Sequence, residues 1–358
     1  MDHDVWQVLK LVARTQGLDQ EPDDSAGLLR RKGFDHGRLV EQAMRQGLLA
    51  ALADFVLRHD LRRALPARLR NPVATYLQVS KYRAARLTSE AARISAALTT
   101  AGLPAAWTKG VVLQSTLYDG TGTRTFNDID LMIHPRERTT LPERLVDLGY
   151  TPDVTYHQPS GTLRPTSRAS RRIYQLSPDH LPHFHRLGTD PVVPCIAVDV
   201  ANSLTWHHSS WQVPMDDVLA DLRAVDLGAD TRLPALSSWH SFLFTCLHLF
   251  REGWTQRTAE LKDVSLAQFA DVLREWERAS GPVRSRIARE TAEHGLEQPL
   301  AWVCGHTDAL FGTRITEELR LGGQATRRWL AAMLGSDGRI RQWSGDMEHR
   351  LRGPDTAL

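Results

Sequence analysis

Residues 124–133 read RTFNDIDLMI, and the reading of Asp128 and Asp130 decides the fold. Two like charges, one residue apart, interrupt an apolar run. Side chains alternate along a strand, so Asp128 and Asp130 share one face while Ile129, Leu131 and Ile133 share the other. One face can then be buried, and the other presents two carboxylates about 7 Å apart at the Cα level. Left unneutralised, the two repel, and burial would push one pKa up sharply. A divalent cation removes the conflict, because Mg²⁺ takes one or two carboxylates together with phosphate oxygens and water. The spacing alone is common: roughly one or two D-x-D matches arise by chance in a chain this long, and Asp2-His3-Asp4 is such a match. A solvated strand face or a helix cap is the alternative reading.

The surroundings favour chemistry. Upstream, AAWTKG (105–110) reads as a short strand running into a helix, VVLQSTLY (111–118). Backbone N–H groups at such a turn can point at an anion; Gly110 allows a phosphate close approach, and Lys109 supplies a point charge. DGTGTR (119–124) is a glycine-rich turn. Downstream, CIAVDVA (195–201) is a second strand with one acid, Asp199, among Ile196, Val198 and Val200. A third carboxylate from a neighbouring strand is what two-metal phosphoryl transfer needs.

Working outward, the first hundred residues read as helical. DVWQVLKLVART and HGRLVEQAMRQGLLAALADFVLRH carry apolar residues at helical spacing, Pro66 and Pro72 punctuate, and a further helix runs from about Ala74 to Ala101, ended by Gly102 and Pro104. A helix is predicted over 136–148, before Gly149. Residues 151–194 are rich in Pro, Ser, His and Arg and show little periodicity. From Ser237 the chain is helical again through SSWHSFLFTCLHLFREGW, LKDVSLAQFADVLREW and shorter helices to Met333. The expected organisation is a helical region over 1–102, an α/β core over 103–230 and a helical region over 231–358.

Length and composition set broad limits. The 358 residues suffice for about two domains. Hydrophobic residues make up 42% and charged residues 24%, as in ordinary globular chains. The 44 basic and 42 acidic residues leave a net charge of +2, which gives no general footprint for nucleic acid and leaves only local basic patches to consider. Cys195, Cys246 and Cys304 show no zinc or disulfide spacing. MDHDVWQVLK lacks the apolar stretch of a signal peptide, and no run approaches 18 apolar residues. A cytoplasmic protein that does not enter a membrane is expected; nothing in the sequence sets an oligomeric state.

The order K-G, a Tyr-containing helix, a Gly-rich turn ending in Arg, then N-D-I-D-L-M-I and later A-V-D-V resembles the nucleotidyltransferase fold of the DNA polymerase β superfamily. Within it, the chain is similar to a bacterial nucleotidyltransferase-like family, from Trp6 through the central region to FTCLHLF and LKDVSL. The resemblance implies an α+β fold, with a small mixed-sheet, polymerase β-like core between helical N- and C-terminal regions. It implies Asp128, Asp130 and Asp199 as catalytic metal ligands, Lys109 and Gly110 on the phosphate-binding turn, and Arg124 as the arginine just before the acidic pair. It further implies Mg²⁺ as cofactor, an NTP such as ATP as donor, and a hydroxyl acceptor, taken first as a small molecule or natural product. Two departures bear on the phosphate and acceptor contacts. Lys109-Gly110-Val111 lacks the usual hydroxyl or second glycine, and Val198-Asp199-Val200-Ala201 lacks the family's nearby His-Trp, with Trp206, His207 and His208 following later.

Other features read more blandly. His157, His180, His183 and His185 could bind zinc but lack a completed ligand set; they are expected to line a loop near the site or its surface. His248, on an apolar helix, reads as a satisfied core residue, and Asp263 as a helix-terminal acid or cap. RPTSRASRR (164–172) reads as a solvated loop able to grip an anionic acceptor or RNA. Trp107, Trp206 and Trp211 read as core or cleft walls. Two competing functions remain: a toxin-like transferase acting on tRNA or protein, and a catalytically silent binding module of the same fold.

Overall fold

The computed structural model describes residues 2–15, 25–176, 178–207, 209–228, 231–255 and 263–353. His208 and the first two residues of the expected helix 261–276 lie outside them. The chain divides into two compact units that are not consecutive in sequence. One comprises Lys81–Gly122 and Phe126–Ser241; the other comprises Met1–Ser80, Thr123–Thr125 and Phe242–Leu358. Among the described residues no helix is long and apolar enough to cross a membrane.

The first unit is built on strands β1 (Ala105–Thr108), β2 (Asp128–Ile133), β3 (Thr151–Pro152), β4 (Val154–His157), β5 (Thr162–Pro165), β6 (Phe184–Leu187), β7 (Cys195–Ala201), β8 (Leu222–Asp226) and β9 (Arg232–Leu236). Seven form one mixed sheet in the order β3-β6-β7-β2-β1-β9-β8. The β2–β7 and β1–β9 pairs are parallel, and the other neighbours are antiparallel. Strands β4 and β5 pair as a separate hairpin. The architecture is mixed α/β, with a mixed central sheet and many helices.

The alternation in DIDLMI determines which face is buried. Ile129, Leu131 and Ile133 of β2 join Trp107 of β1, Ile196, Val198 and Val200 of β7, and Phe184 of β6 in one core cluster. Ala84, Leu87, Ala91, Ile94 and Leu98 complete it from the helix Ala67–Thr100; their spacing of three and four puts them in one stripe. Leu141 and Leu145 add a second helix, Thr140–Asp147, preceded by a 3₁₀ turn at Pro135–Arg138. At the rim of this core, Glu90 accepts a hydrogen bond from the Tyr150 hydroxyl at 2.6 Å and pairs with Arg93 at 2.6 Å and Arg186 at 2.8 Å. Such a buried carboxylate is tolerable because its oxygens are satisfied.

Several expectations are corrected here. The weakly periodic stretch 151–194 holds β3 to β6 and a helix, Arg168–Leu176; strands of two to four residues give too few alternations to show a period. Pro72 lies inside the long helix rather than before it, as its sixth residue, where it removes the bond an N–H would make to the Arg68 carbonyl. The short helices expected to Met333 run to Leu330; the chain then forms a two-stranded pair, Ala332–Leu334 with Ile340–Gln342, followed by the helix Met347–Arg352.

The second unit is helical and draws on both ends of the chain. The buried Gln46 amide joins them: its nitrogen donates to the Leu351 carbonyl at 2.8 Å, and its oxygen accepts from the Leu266 N–H at 2.8 Å. The helix Leu266–Arg278 starts at a capping box of Ser265 and Gln268. Asp263 is therefore not its cap; its carboxylate pairs with the buried Arg350 at 2.6 Å. His306 is buried beside Trp302 and Trp343, donating from Nε2 to the Leu330 carbonyl at 3.0 Å.

Candidate functional site

The site lies on the face of the sheet opposite the core. Across the parallel β2–β7 pair, Asp130 is in register with Asp199; across the antiparallel β1–β2 pair, it is in register with Thr108. Residues in register share a face, and Asp128, two positions earlier, lies on it opposite Ala197. The three acids thus come together on one surface, which is mostly covered: the Asp130 and Asp199 side chains are 11% and 16% exposed. On either side of Asp199 along that face are Ala197 and Ala201, which take up little space.

Lys109 joins them. It is the first residue of the helix Lys109–Thr116, directly after β1, and its ammonium donates to Asp130 Oδ1 at 3.1 Å. Its backbone is left-handed, with φ +39°, a conformation that costs a non-glycine residue on the order of 1–3 kcal/mol. Gly110 is buried, and a Cβ there would come within 2.9 Å of the Phe126 ring and 3.3 Å of the Asp128 carbonyl oxygen. Only glycine lets the helix start this close to the acidic strand.

Three histidines that the sequence left on a loop belong to this face, His185 being in register with Ala197. β6 runs antiparallel to β7 with Phe184 opposite Val198; one residue earlier, His183 reaches Asp199, with Nε2 3.3 Å from Oδ1. His180 bridges to Ala201, and its Nδ1 is 3.0 Å from Asp179 Oδ2. The Tyr174 ring is centred 5.9 Å from that of His183. The clustering of imidazoles in HLPHFHR was the available signal; what it lacked was the strand pairing that brings His183 to Asp199.

The electrostatics are those of crowded like charges. The Asp128 carboxyl is pushed up to about 6, first by the negative charge of Asp130 and then by burial and Asp199. Burial also works on Asp199, but its contact with His183 and the charges of His180, His183 and Lys109 outweigh it and hold Asp199 well below the usual carboxylate range. The His183 imidazole and the Lys109 ammonium are raised: burial opposes their charge, and the acids more than offset it.

A fit for a cation can be tested on the donors. Asp199 Oδ1 is buried, with His183 Nε2 at 3.3 Å. Asp128 has no ion-pair partner among the described residues, and the donor set is carboxylate oxygen, the chemistry of a hard ion such as Mg²⁺ rather than of zinc. Against this, among the described residues no three His, Cys, Asp or Glu side chains are arranged as a ready metal cluster, and the group lying against Asp130 is the Lys109 ammonium. The acids are compatible with a hard cation once that ammonium moves.

A family model described as "Uncharacterised nucleotidyltransferase" matches residues 32–312. The chain belongs to that family. Membership places it among transferases of nucleoside monophosphates, and the matched span contains the whole seven-stranded sheet and all three acids. No curated protein matches the chain.

The remaining candidates have contacts of their own. Arg124 belongs to the helical unit, where its guanidinium forks onto the Asp271 carboxylate, with Nε at 3.0 Å from both oxygens and Nη2 at 2.9 Å from Oδ2. His248, in the same unit, has Nδ1 3.7 Å from Glu252. Trp107 is buried in the apolar core beneath the sheet. Trp206 and Trp211 pack edge to face with ring centres 5.4 Å apart.

Proposed function

We propose that this family member is a Mg²⁺-dependent enzyme that moves a nucleoside monophosphate from an NTP to a hydroxyl of a small-molecule or natural-product acceptor and releases pyrophosphate. The sheet is taken as a polymerase β-like core, and the three free cysteines are in keeping with a cytoplasmic setting. One observation carries the reading: Asp130 in register with Asp199, with Asp128 on the same face, in a chain of the nucleotidyltransferase family.

Asp128 and Asp130 hold the cation that accompanies the triphosphate, and Asp199 serves the acceptor side. The acceptor oxygen attacks the α-phosphorus, the bond from that phosphorus to the α,β-bridging oxygen breaks, and pyrophosphate leaves. The hydroxyl proton departs toward the Asp199–His183 pair. When bound, Mg²⁺ supplies charge neutralisation of the phosphates and acidifies the attacking hydroxyl. Lys109 and the backbone at Gly110 receive phosphate oxygens. The protein's part is positioning and electrostatics, which suffice for phosphoryl transfer.

Calorimetry with each NTP and Mg²⁺ tests this reading. The native chain should bind at least one NTP in a metal-dependent way, and Asp128→Asn/Asp130→Asn should lose that dependence; equal binding by both removes the assignment.

A second reading has its own support. Arg164, Arg168, Arg171 and Arg172 are exposed, and none has an ion-pair partner among the described residues, which favours an anionic polymer such as tRNA as acceptor. Titration of tRNA at several salt concentrations decides it. A steep fall of log affinity with log salt supports the RNA acceptor, and no binding at low salt removes it.

A further inference from the structure

We infer that Lys109 is the built-in counter-ion of the acid cluster, so that a divalent cation enters only together with a polyphosphate that draws the lysine off Asp130. This rests on the reading above and adds an order of assembly to it. The ammonium is 3.1 Å from Asp130 Oδ1, whereas Mg²⁺ must approach a carboxylate oxygen to about 2.1 Å. Two cations cannot share that oxygen at those distances without strong repulsion. Without the lysine, three carboxylates would face one another across two paired strands. With it, Asp128 has no ion-pair partner among the described residues, whereas Asp199 Oδ1 has His183 Nε2 at 3.3 Å, so the lysine compensates the Asp128–Asp130 pair only in part. A left-handed backbone favours glycine, yet the residue at φ +39° is a lysine, placed where its side chain reaches the acids. A triphosphate offers the ammonium an alternative anion and brings the cation with it. The lysine thus blocks idle metal binding and becomes a phosphate ligand on loading.

Mn²⁺, standing in for Mg²⁺, gives the test through the EPR signal of the free ion, with no turnover involved. Wild type, Lys109→Met and Lys109→Arg are titrated with Mn²⁺ alone and with Mn²⁺ plus α,β-methylene NTP analogues. Wild type and K109R should bind Mn²⁺ weakly alone, and wild type at least tenfold more tightly with an analogue. K109M should bind Mn²⁺ alone at least tenfold more tightly than wild type, gain less from the analogue, and show a larger rise in Tm with Mn²⁺. If K109M matches wild type without nucleotide while both gain from it, the lysine's role is overturned and the enzymatic reading stands. If wild type fails to bind Mn²⁺ even with every analogue, the enzymatic reading falls, and this inference with it. Should K109M not fold, Lys109→Gln carries the same expectations, checked first by circular dichroism.

Discussion

The two faces of β2 and β7 are made by alternate residues of the same two strands, and they do opposite things. Ile129, Leu131, Val198 and Val200 are all at most 1% exposed and pack against the long helix. Each such side chain stabilises the fold by roughly 1.5–3 kcal/mol through burial. One residue away in each case, Asp128, Asp130 and Asp199 crowd three carboxylates onto the opposite face, where Asp128 is pushed up to about 6 by its neighbours. The apolar face is optimised for stability; the acidic face sacrifices it. A surface that is costly in the resting protein and sits on rigid strands is where a ligand has most to relieve.

The largest expected effect breaks this comparison at the acidic face. Asp128→Asn/Asp130→Asn should reduce nucleotidyl transfer at least about 1000-fold while the far-UV circular dichroism stays that of the native chain; near-native turnover would make the acids a structural feature. Next, Ile129→Ala, between the two acids but pointing the other way, should lower unfolding free energy in urea by about 2–5 kcal/mol. A loss under 1 kcal/mol would mean that the apolar face does not carry the fold.

A smaller effect belongs to a buried ionisable group outside the sheet. Burial, aided by Arg350, pushes the His306 imidazole down to about 3 against the hydrogen bond it gives to Leu330. Its folded pKa lies below the unfolded value near 6.5, so its contribution to stability is full above pH 6.5 and is lost as pH falls toward 3. At pH 5 the loss should be about 2 kcal/mol, and His306→Gln should flatten that slope; an unchanged slope would assign acid sensitivity to other groups. The smallest effect sharpens the contrast between the faces. In chelator, Asp128→Asn should raise stability by about 1 kcal/mol by removing one repelling charge, where a core truncation lowers it. A fall would show that Lys109 and His183 already compensate the acids in the resting protein.

How much of this was legible in the sequence depends on whether the signal was local. The alternation of DIDLMI and the single acid in CIAVDVA gave two strands and the face each acid takes. The register of Asp130 against Asp199 was not legible, because it is set by a parallel pairing between segments some seventy residues apart. His183 was legible only as one of a histidine cluster on a loop near the site; its place opposite Asp199 follows from the β6–β7 pairing. The turn at Lys109 points to a phosphate ligand, but its contact with Asp130 depends on the β1–β2 register and on a left-handed backbone. Arg124 is close to the acids in sequence, yet its partner is Asp271, 147 residues away. The helical ends showed clear periodicity, but periodicity does not reveal that residues near 46 and 351 meet through one buried glutamine.

The most direct test of the central claim is a crystal structure with Mn²⁺ and a non-hydrolysable NTP analogue, with the ion located by its anomalous scattering. The account predicts a peak within coordination distance of Asp128 and Asp130, beside the phosphates, with the Lys109 ammonium moved from Asp130 to a phosphate oxygen. An analogue bound elsewhere, or a metal peak away from both aspartates with Lys109 still on Asp130, would contradict it.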